Sequence, residues 1–234
     1  MPEGQPDYVC ACACGEVKFD LYGEPIECLE SSCYCNDCTT AAVYMDEKAK
    51  QEGKKNMTMR TDDGGGVGVS CWMLGNMSVS KGKNKLRGFK LSAGSKLCRV
   101  YTSCCDTYII LVGNSGAPRW RGFNRNCITR ADGSPFQPKQ ITKVMGKFAS
   151  KDVWDKLPPE NKYPLIPWGI LPRVLSITFL PFLFKGAIVT VSDEDRRVPG
   201  LFVDRETITE LVPPETYITA GFDLPKSAVK PTGT

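Results

Sequence analysis

Three cysteines fall within six residues at Cys33-Tyr34-Cys35-Asn36-Asp37-Cys38, in a chain of 234 residues that contains no histidine. A short turn can aim three such thiols at one point, and zinc–sulfur bonds of about 2.3 Å require that convergence. Without histidine the commonest soft-metal ligand and the usual general base are both missing, so any soft-metal site rests on thiolates. A redox pair at Cys35 and Cys38 is a competing reading, and inert buried thiols are a third. No thioredoxin-like pattern of strand and long helix surrounds the motif. Three thiolates on one ion leave a fourth position to water, a substrate thiol or another residue.

Eight of the twelve cysteines lie in three tight clusters: Cys10, Cys12 and Cys14, then Cys33, Cys35 and Cys38, then the neighbours Cys104 and Cys105. Clusters of this kind suit metal better than a disulfide framework, which predicts a reducing compartment. Met1 to Asp7 is polar and has no secretory pattern, so the chain is not expected to be secreted and the N-x-S/T matches at Asn56 and Asn76 are read as chance. A net charge of +4 admits anionic ligands without implying nucleic acid. Lys81, Lys83, Lys85, Arg87 and Lys90, with the mixed arginine and aromatic stretch from Arg119, are the only features favouring nucleic acid. Alternating lysines more often guard a strand edge, so nucleic acid is not expected as a partner.

Gly and Pro number 22 and 17, which favours strands and turns over long helices. Val17, Phe19 and Leu21 alternate with polar neighbours, as in a half-buried strand. Strands are also predicted over Met57–Thr61, Val69–Val79, Leu86–Leu91, Leu97–Thr102 and Tyr108–Val112. Helices are predicted over Thr39–Glu52 and Ile141–Leu157, and Asp62–Gly68 reads as a loop. Tyr163–Val191 is strongly apolar but broken by Pro164, Pro167, Pro172 and Pro181, so no membrane-spanning helix is expected there. It is read as core or a hydrophobic flap over the sheet, or else as a contact with a partner protein or membrane surface. The expected fold is mainly β, with antiparallel sheets and a few short helices. A zinc-binding β domain is placed at 8–135 and a Pro-rich C-terminal extension at 136–234.

Taken together, the three clusters resemble a known family. Cys12-Ala13-Cys14-Gly15-Glu16-Val17-Lys18-Phe19 is similar to the opening motif of the glutathione-dependent formaldehyde-activating enzymes, which include the centromere protein V branch. Cys33 to Cys38 is similar to their central motif, with Tyr34 where His is usual. Arg99 to Thr107 resembles their closing motif, with Thr102 in place of its first cysteine and Asp106 in place of its glycine. The resemblance covers roughly residues 8 to 130. It implies a β-tent zinc fold with one or two zinc ions. One ion, structural, falls to Cys12, Cys14 and Cys105, and a reactive one to Cys33, Cys35 and Cys38. It also implies carbon–sulfur lyase-type chemistry on glutathione adducts of small aldehydes. The long basic tail of the centromere branch is missing, so centromere binding is not carried over.

On that reading Tyr34 or Asp37 relays a proton, and Arg119, Arg121 and Arg125 clamp the carboxylates of glutathione. The alternative is an inactive zinc-stapled scaffold that docks on an assembly through residues 163–191. Neighbouring residues on an extended chain point to opposite faces. Cys104 is therefore expected to leave Cys105 and complete the central site, with Cys10 or Cys98 completing the first. That arrangement would close the central site and favour the scaffold.

Overall fold

The structure is a computed structural model that describes residues 4–62, 65–95, 97–112, 120–149, 151–170, 172–173, 175, 208, 210–216 and 220. Among these residues the chain is mainly β, with twelve strands in two sheets. The smaller sheet has the order β10 (Ile128–Arg130), β1 (Tyr8–Ala11), β2 (Lys18–Leu21) and β5 (Met77–Lys81). The larger has the order β11 (Thr142–Val144), β3 (Ser31–Cys33), β4 (Val67–Met73), β9 (Trp120–Asn124), β8 (Thr107–Val112), β7 (Cys98–Thr102), β6 (Leu86–Lys90) and β12 (Glu210–Leu211). Pairing is antiparallel except at the two edges, where β11 runs parallel to β3 and β12 parallel to β6. Both of those strands come from the stretch after residue 135. Most of the apolar Pro-rich segment expected over Tyr163–Val191 lies outside the described residues. No helix of the described residues is long and apolar enough to cross a membrane.

The alternation of the strands places two cores on the two faces of the larger sheet. On one face Trp72, Val100, Ile110 and Phe123 meet Tyr8, Phe19 and Leu21 of the smaller sheet. The ring centroids of Phe19 and Phe123 are 5.4 Å apart, edge to face. On the other face Val67, Val69, Cys71, Phe89 and Tyr108 meet helix α1 (Asn36–Gln51). Ala41, Ala42, Met45 and Ala49 form its buried stripe at helical spacing. The molecule is thus layered as sheet, sheet and helix. Glu210 closes the helix side: it accepts hydrogen bonds from Tyr44 and Tyr101 and lies 3.4 Å from the Lys48 amine.

Three predicted elements differ. Val69–Val79 is two strands, separated by a 3-10 turn at Leu74–Asn76, and they belong to different sheets. Met57–Thr61 is no strand, although Arg60 makes one isolated bridge to Val67. The Asn124 side-chain amide donates to the carbonyls of Met57 and Thr58, and that of Asn126 to those of Thr58 and Arg60, in place of a ladder partner. Ile141–Leu157 is not one helix. Thr142–Val144 pairs with the open edge of β3, Met145 turns through the left-handed region at φ 63°, and only α2 (Lys151–Lys156) is α-helical. The spacing of apolar residues is helical, but an unpaired sheet edge beside β-branched residues wins.

Candidate metal centre

Two groups of thiols converge. Cys12, Cys14, Cys104 and Cys105 form one, and Cys33, Cys35 and Cys38 the other, with all sulfurs of a group within 4.8 Å of one another. Four sulfurs around a tetrahedral zinc lie about 3.8 Å apart, given bonds of about 2.3 Å. The Sγ of Cys12 is 3.6 Å from that of Cys14 and 3.8 Å from that of Cys104. The donor set and spacing fit a closed four-thiolate zinc site.

Two turns build this first group. β1 stops at Ala11, and Cys12 to Gly15 folds into a loop in which the Gly15 amide donates to the Cys12 carbonyl at 2.9 Å. Gly15 sits at φ +71°, a conformation that glycine adopts without strain. The Val17 amide donates to the Cys12 sulfur at 3.3 Å. From the larger sheet, the β7–β8 turn supplies the other two thiols. There the amide of Asp106 donates to the Thr102 carbonyl at 2.8 Å, and Asp106 itself is left-handed at φ 53°. Lys54 pairs with the buried Asp106 carboxylate at 3.0 Å.

This geometry corrects the expected division of the vicinal pair. Cys104 and Cys105 lie in a turn, not an extended strand, so both sulfurs face one centre. Cys104 does not complete the central site, and neither Cys10 nor Cys98 completes the first. Both of these are buried in the core between the sheets. Within the group, the Cys105 thiol is pulled down to about 3 by a hydrogen bond from the Cys12 thiol, helped by Thr102 and Thr107. The Thr107 hydroxyl is 3.2 Å from the Cys105 sulfur and also accepts from the Ala13 amide, so Thr102 and Thr107 brace the site as outer neighbours.

The second group is local. Cys33 ends β3, Cys35 caps α1, and Cys38 lies in the helix's first turn. The Cys35 sulfur accepts from the Cys38 amide at 3.4 Å. A thiolate here is favoured by the positive end of the helix dipole. Hydrogen bonds from Cys33 and then Cys38 pull the Cys35 thiol down to about 3, and the same bond to Cys35 pushes Cys33 up to about 12. Among the described residues no fourth thiol, histidine or carboxylate joins these three sulfurs. Cys33 and Cys38 instead face an apolar cavity of about 310 Å³, whose walls include Leu29, Val69, Leu111, Trp120 and Val144. Cys28, Cys71, Ser31 and Thr142 also line it, as do Ile166 and Ile170 from the stretch after α2. The spacing of Cys33, Cys35 and Cys38 disclosed the thiols. Nothing in the sequence marked the cavity, because its walls come from strands far apart in the chain.

The candidate helper residues fare differently. Tyr34 is buried, its hydroxyl donates to Asp62 and its ring packs on Trp154 at 5.2 Å. Burial first, then the bond to Asp62, push its phenol well above the ordinary range. It braces the loop and does not face the cavity, so the proton-relay expectation for Tyr34 is corrected. Asp37 is exposed in the first turn of α1, where a carboxylate suits the helix dipole. Arg121 and Arg125 are buried and not poised for ligand carboxylates. The Arg125 guanidinium donates to the carbonyls of Ser31 and Val69 and to the hydroxyls of Ser32 and Ser70, with Glu30 at 3.9 Å. These bonds knit β3 to β4 behind the three thiols. Burial alone draws the Arg121 guanidinium down to about 10. Arg119 lies outside the described residues.

No curated protein matches this sequence. Among solved structures, a protein of Rhodobacter sphaeroides is similar at 14% identity, with a TM-score of 0.37, over 58% of this chain and 99% of that one. Nothing about activity follows from a likeness at that level. A family model, described only as a family of unknown function, matches residues 7–198, which take in both thiol groups and the cavity. The chain belongs to that family, DUF6151.

Proposed function

We propose that this is a two-centre zinc protein in which the four-thiol group is structural and the three-thiol group binds and activates a small thiol or carbonyl substrate. Structural zinc sites are closed, and catalytic ones keep a position open. The observation that carries the reading is the direction of the open side: the three sulfurs have no fourth protein ligand among the described residues, and two of them form part of a cavity wall. The motif resemblance to the glutathione-dependent formaldehyde-activating enzymes supports the same division.

Zinc, when bound there, lowers the pKa of a thiol or water in its fourth position. The residues of the chain supply the rest. Leu29, Val69, Trp120 and Val144 exclude water and hold the substrate's carbon arm. The reaction class is addition of a thiol to an aldehyde and its reverse: a carbon–sulfur bond forms, the carbonyl π bond opens, and the thiol proton ends on the new hydroxyl. Ser31 and Thr142 are the hydroxyl side chains on the wall that can hold that oxygen by hydrogen bonding. With Arg121 and Arg125 buried, the cavity favours a thiol with an apolar arm over glutathione with its two carboxylates. Unprotected thiols of this kind belong in a reducing compartment, and all twelve cysteines are free.

The competing reading is an inactive scaffold that docks on an assembly through the apolar stretch from Tyr163. It is favoured by Trp168, which is 84% exposed, beside exposed Leu165 and Ile166. One experiment separates the two: metal analysis of the purified protein together with turnover of formaldehyde and longer aldehydes against aliphatic thiols and glutathione. Two zinc ions with turnover support the enzyme. Two zinc ions and no turnover with any pair leave the scaffold.

A further inference from the structure

The least expected group near the three thiols is Arg99. Its side chain is 0% exposed, and its three guanidinium nitrogens make no well-aligned hydrogen bond, the neutral phenol of Tyr108 being a neighbour that cannot cancel the charge. No carboxylate of the described residues pairs with it. Arg125, by contrast, makes four hydrogen bonds to the strands around it. A buried cation without compensation is costly, and burial persists only where an anion or a set of acceptors answers it.

The position of Arg99 identifies that anion. Cys71 in β4, Gly122 in β9, Leu111 in β8, Arg99 in β7 and Phe89 in β6 stand directly opposite one another across five strands. Residues directly opposite in antiparallel strands share one face of the sheet. It is the α1 face: Cys71 and Leu111 line the cavity with Cys33 and Cys38, and Phe89 packs in one core with Cys38 and Tyr108. The Arg99 charge acts on the Cys35 thiol and on the Tyr108 phenol. Neither Arg99 nor Cys35 lines the cavity, whereas Cys33 and Cys38 do.

We propose that Arg99 is the buried counter-ion of the three-thiol centre, and that the centre is built to be electrically neutral. Three thiolates around a divalent ion carry one net negative charge, which one guanidinium cancels. A monovalent ion leaves negative charge uncancelled, and so does an anionic fourth ligand. The resting fourth ligand is therefore a neutral molecule, and the ion is divalent. This deepens, and depends on, the metal reading given above. Arg99 is a positioning residue: it acts through the thiolates and not on substrate.

The test is a competitive titration of the full chain with cobalt(II), in the presence of a chelator, following thiolate-to-cobalt absorption. Cys38→Ser assigns the signal of the three-thiol centre. Arg99→Met is expected to weaken that centre about 10–100-fold, the usual effect of losing an outer-shell partner, and to leave the four-thiol centre unchanged. Arg99→Lys keeps the charge and recovers most of the loss. If Arg99→Met does not fold, Arg99→Lys against Arg99→Gln makes the same comparison. Equal affinity of Arg99→Met and wild type at both centres overturns the proposal. So does a parallel loss at both centres that Arg99→Lys does not recover. A wild-type chain that takes no divalent ion at the three-thiol centre fails earlier, at the metal reading itself, and takes this inference with it.

Discussion

The two thiol groups use the same ligand but are assembled in opposite ways. Cys12 and Cys104 are 92 residues apart, and their site staples the first loop of the smaller sheet to a hairpin turn of the larger one. Cys33, Cys35 and Cys38 sit within six residues, on one strand end and one helix start. A staple between sheets gains from completing its coordination, since every ligand adds to the tie. A local group ties nothing together, because the backbone already holds its members close. It can spare a position, and here two of its three thiols line a cavity. On the proposed reading ligand count follows mechanical role, with a closed long-range site and, among the described residues, an open short-range one.

The largest effect is expected from removing one ligand of each group in turn. Cys105→Ser should cost one of two bound zinc ions and at least about 3 kcal/mol of stability. At about 2–4 °C per kcal/mol for a chain of this size, the melting temperature falls by roughly 10 °C. Cys33→Ser should also cost one zinc ion and abolish any thiol–aldehyde turnover, with a fall of less than roughly 5 °C. Calorimetry and metal analysis on the two variants decide the matter, and equal destabilisation by both would falsify the division into staple and open site.

A smaller effect concerns the support behind the open group. Burial pushes the Glu30 carboxyl up to about 7 from 4.5, against the Ser70 hydrogen bond and the Arg125 charge, which pull it back. Because the folded pKa is raised, the unfolded chain loses its proton first as pH rises. Stability should therefore decline between about pH 4.5 and 7. The decline amounts to about 1–3 kcal/mol, since a proton held one pH unit more tightly is worth about 1.4 kcal/mol. Glu30→Gln should flatten that slope in denaturant titrations across this range. A slope that survives in Glu30→Gln assigns the pH dependence elsewhere.

The smallest effect concerns the cavity. Ile166 lines it yet is largely exposed, so Ile166→Asp should leave both zinc ions and the melting temperature nearly unchanged. It should weaken binding of an aliphatic thiol several-fold, about 1 kcal/mol of lost apolar contact. Binding of glutathione, which offers little apolar arm, should change less. Equal losses for the two thiols, measured by competition, would remove the cavity from substrate choice.

Much of the local structure is legible in the residue pattern alone. Alternation at Val17, Phe19 and Leu21 and the runs at Leu86, Leu97 and Tyr108 mark strands, since period-two burial is a property of the extended chain. The stripe of Ala41, Ala42, Met45 and Ala49 marks α1. The spacing of Cys33, Cys35 and Cys38 announces convergence, because one strand end and one helical turn place all three sulfurs within reach of a single ion. These are local statements, and local geometry enforces them. Whatever depends on distant elements meeting is absent from that pattern and appears only in the folded chain. The turn at Asp106 puts Cys104 with Cys105, against the expectation for a straight strand. The free edge of β3 takes Thr142–Val144 out of a helix. Arg121 and Arg125, expected to clamp the carboxylates of glutathione, are drawn inside, and for Arg125 the carbonyls and hydroxyls of neighbouring strands replace water. Arg99 opens the closing motif, but nothing in the motif marks it as buried beside the three thiols, since a buried charge is legible only from what surrounds it. Short-range order follows from bond geometry and side-chain alternation, whereas partners across the fold are chosen by packing that no single stretch of chain contains.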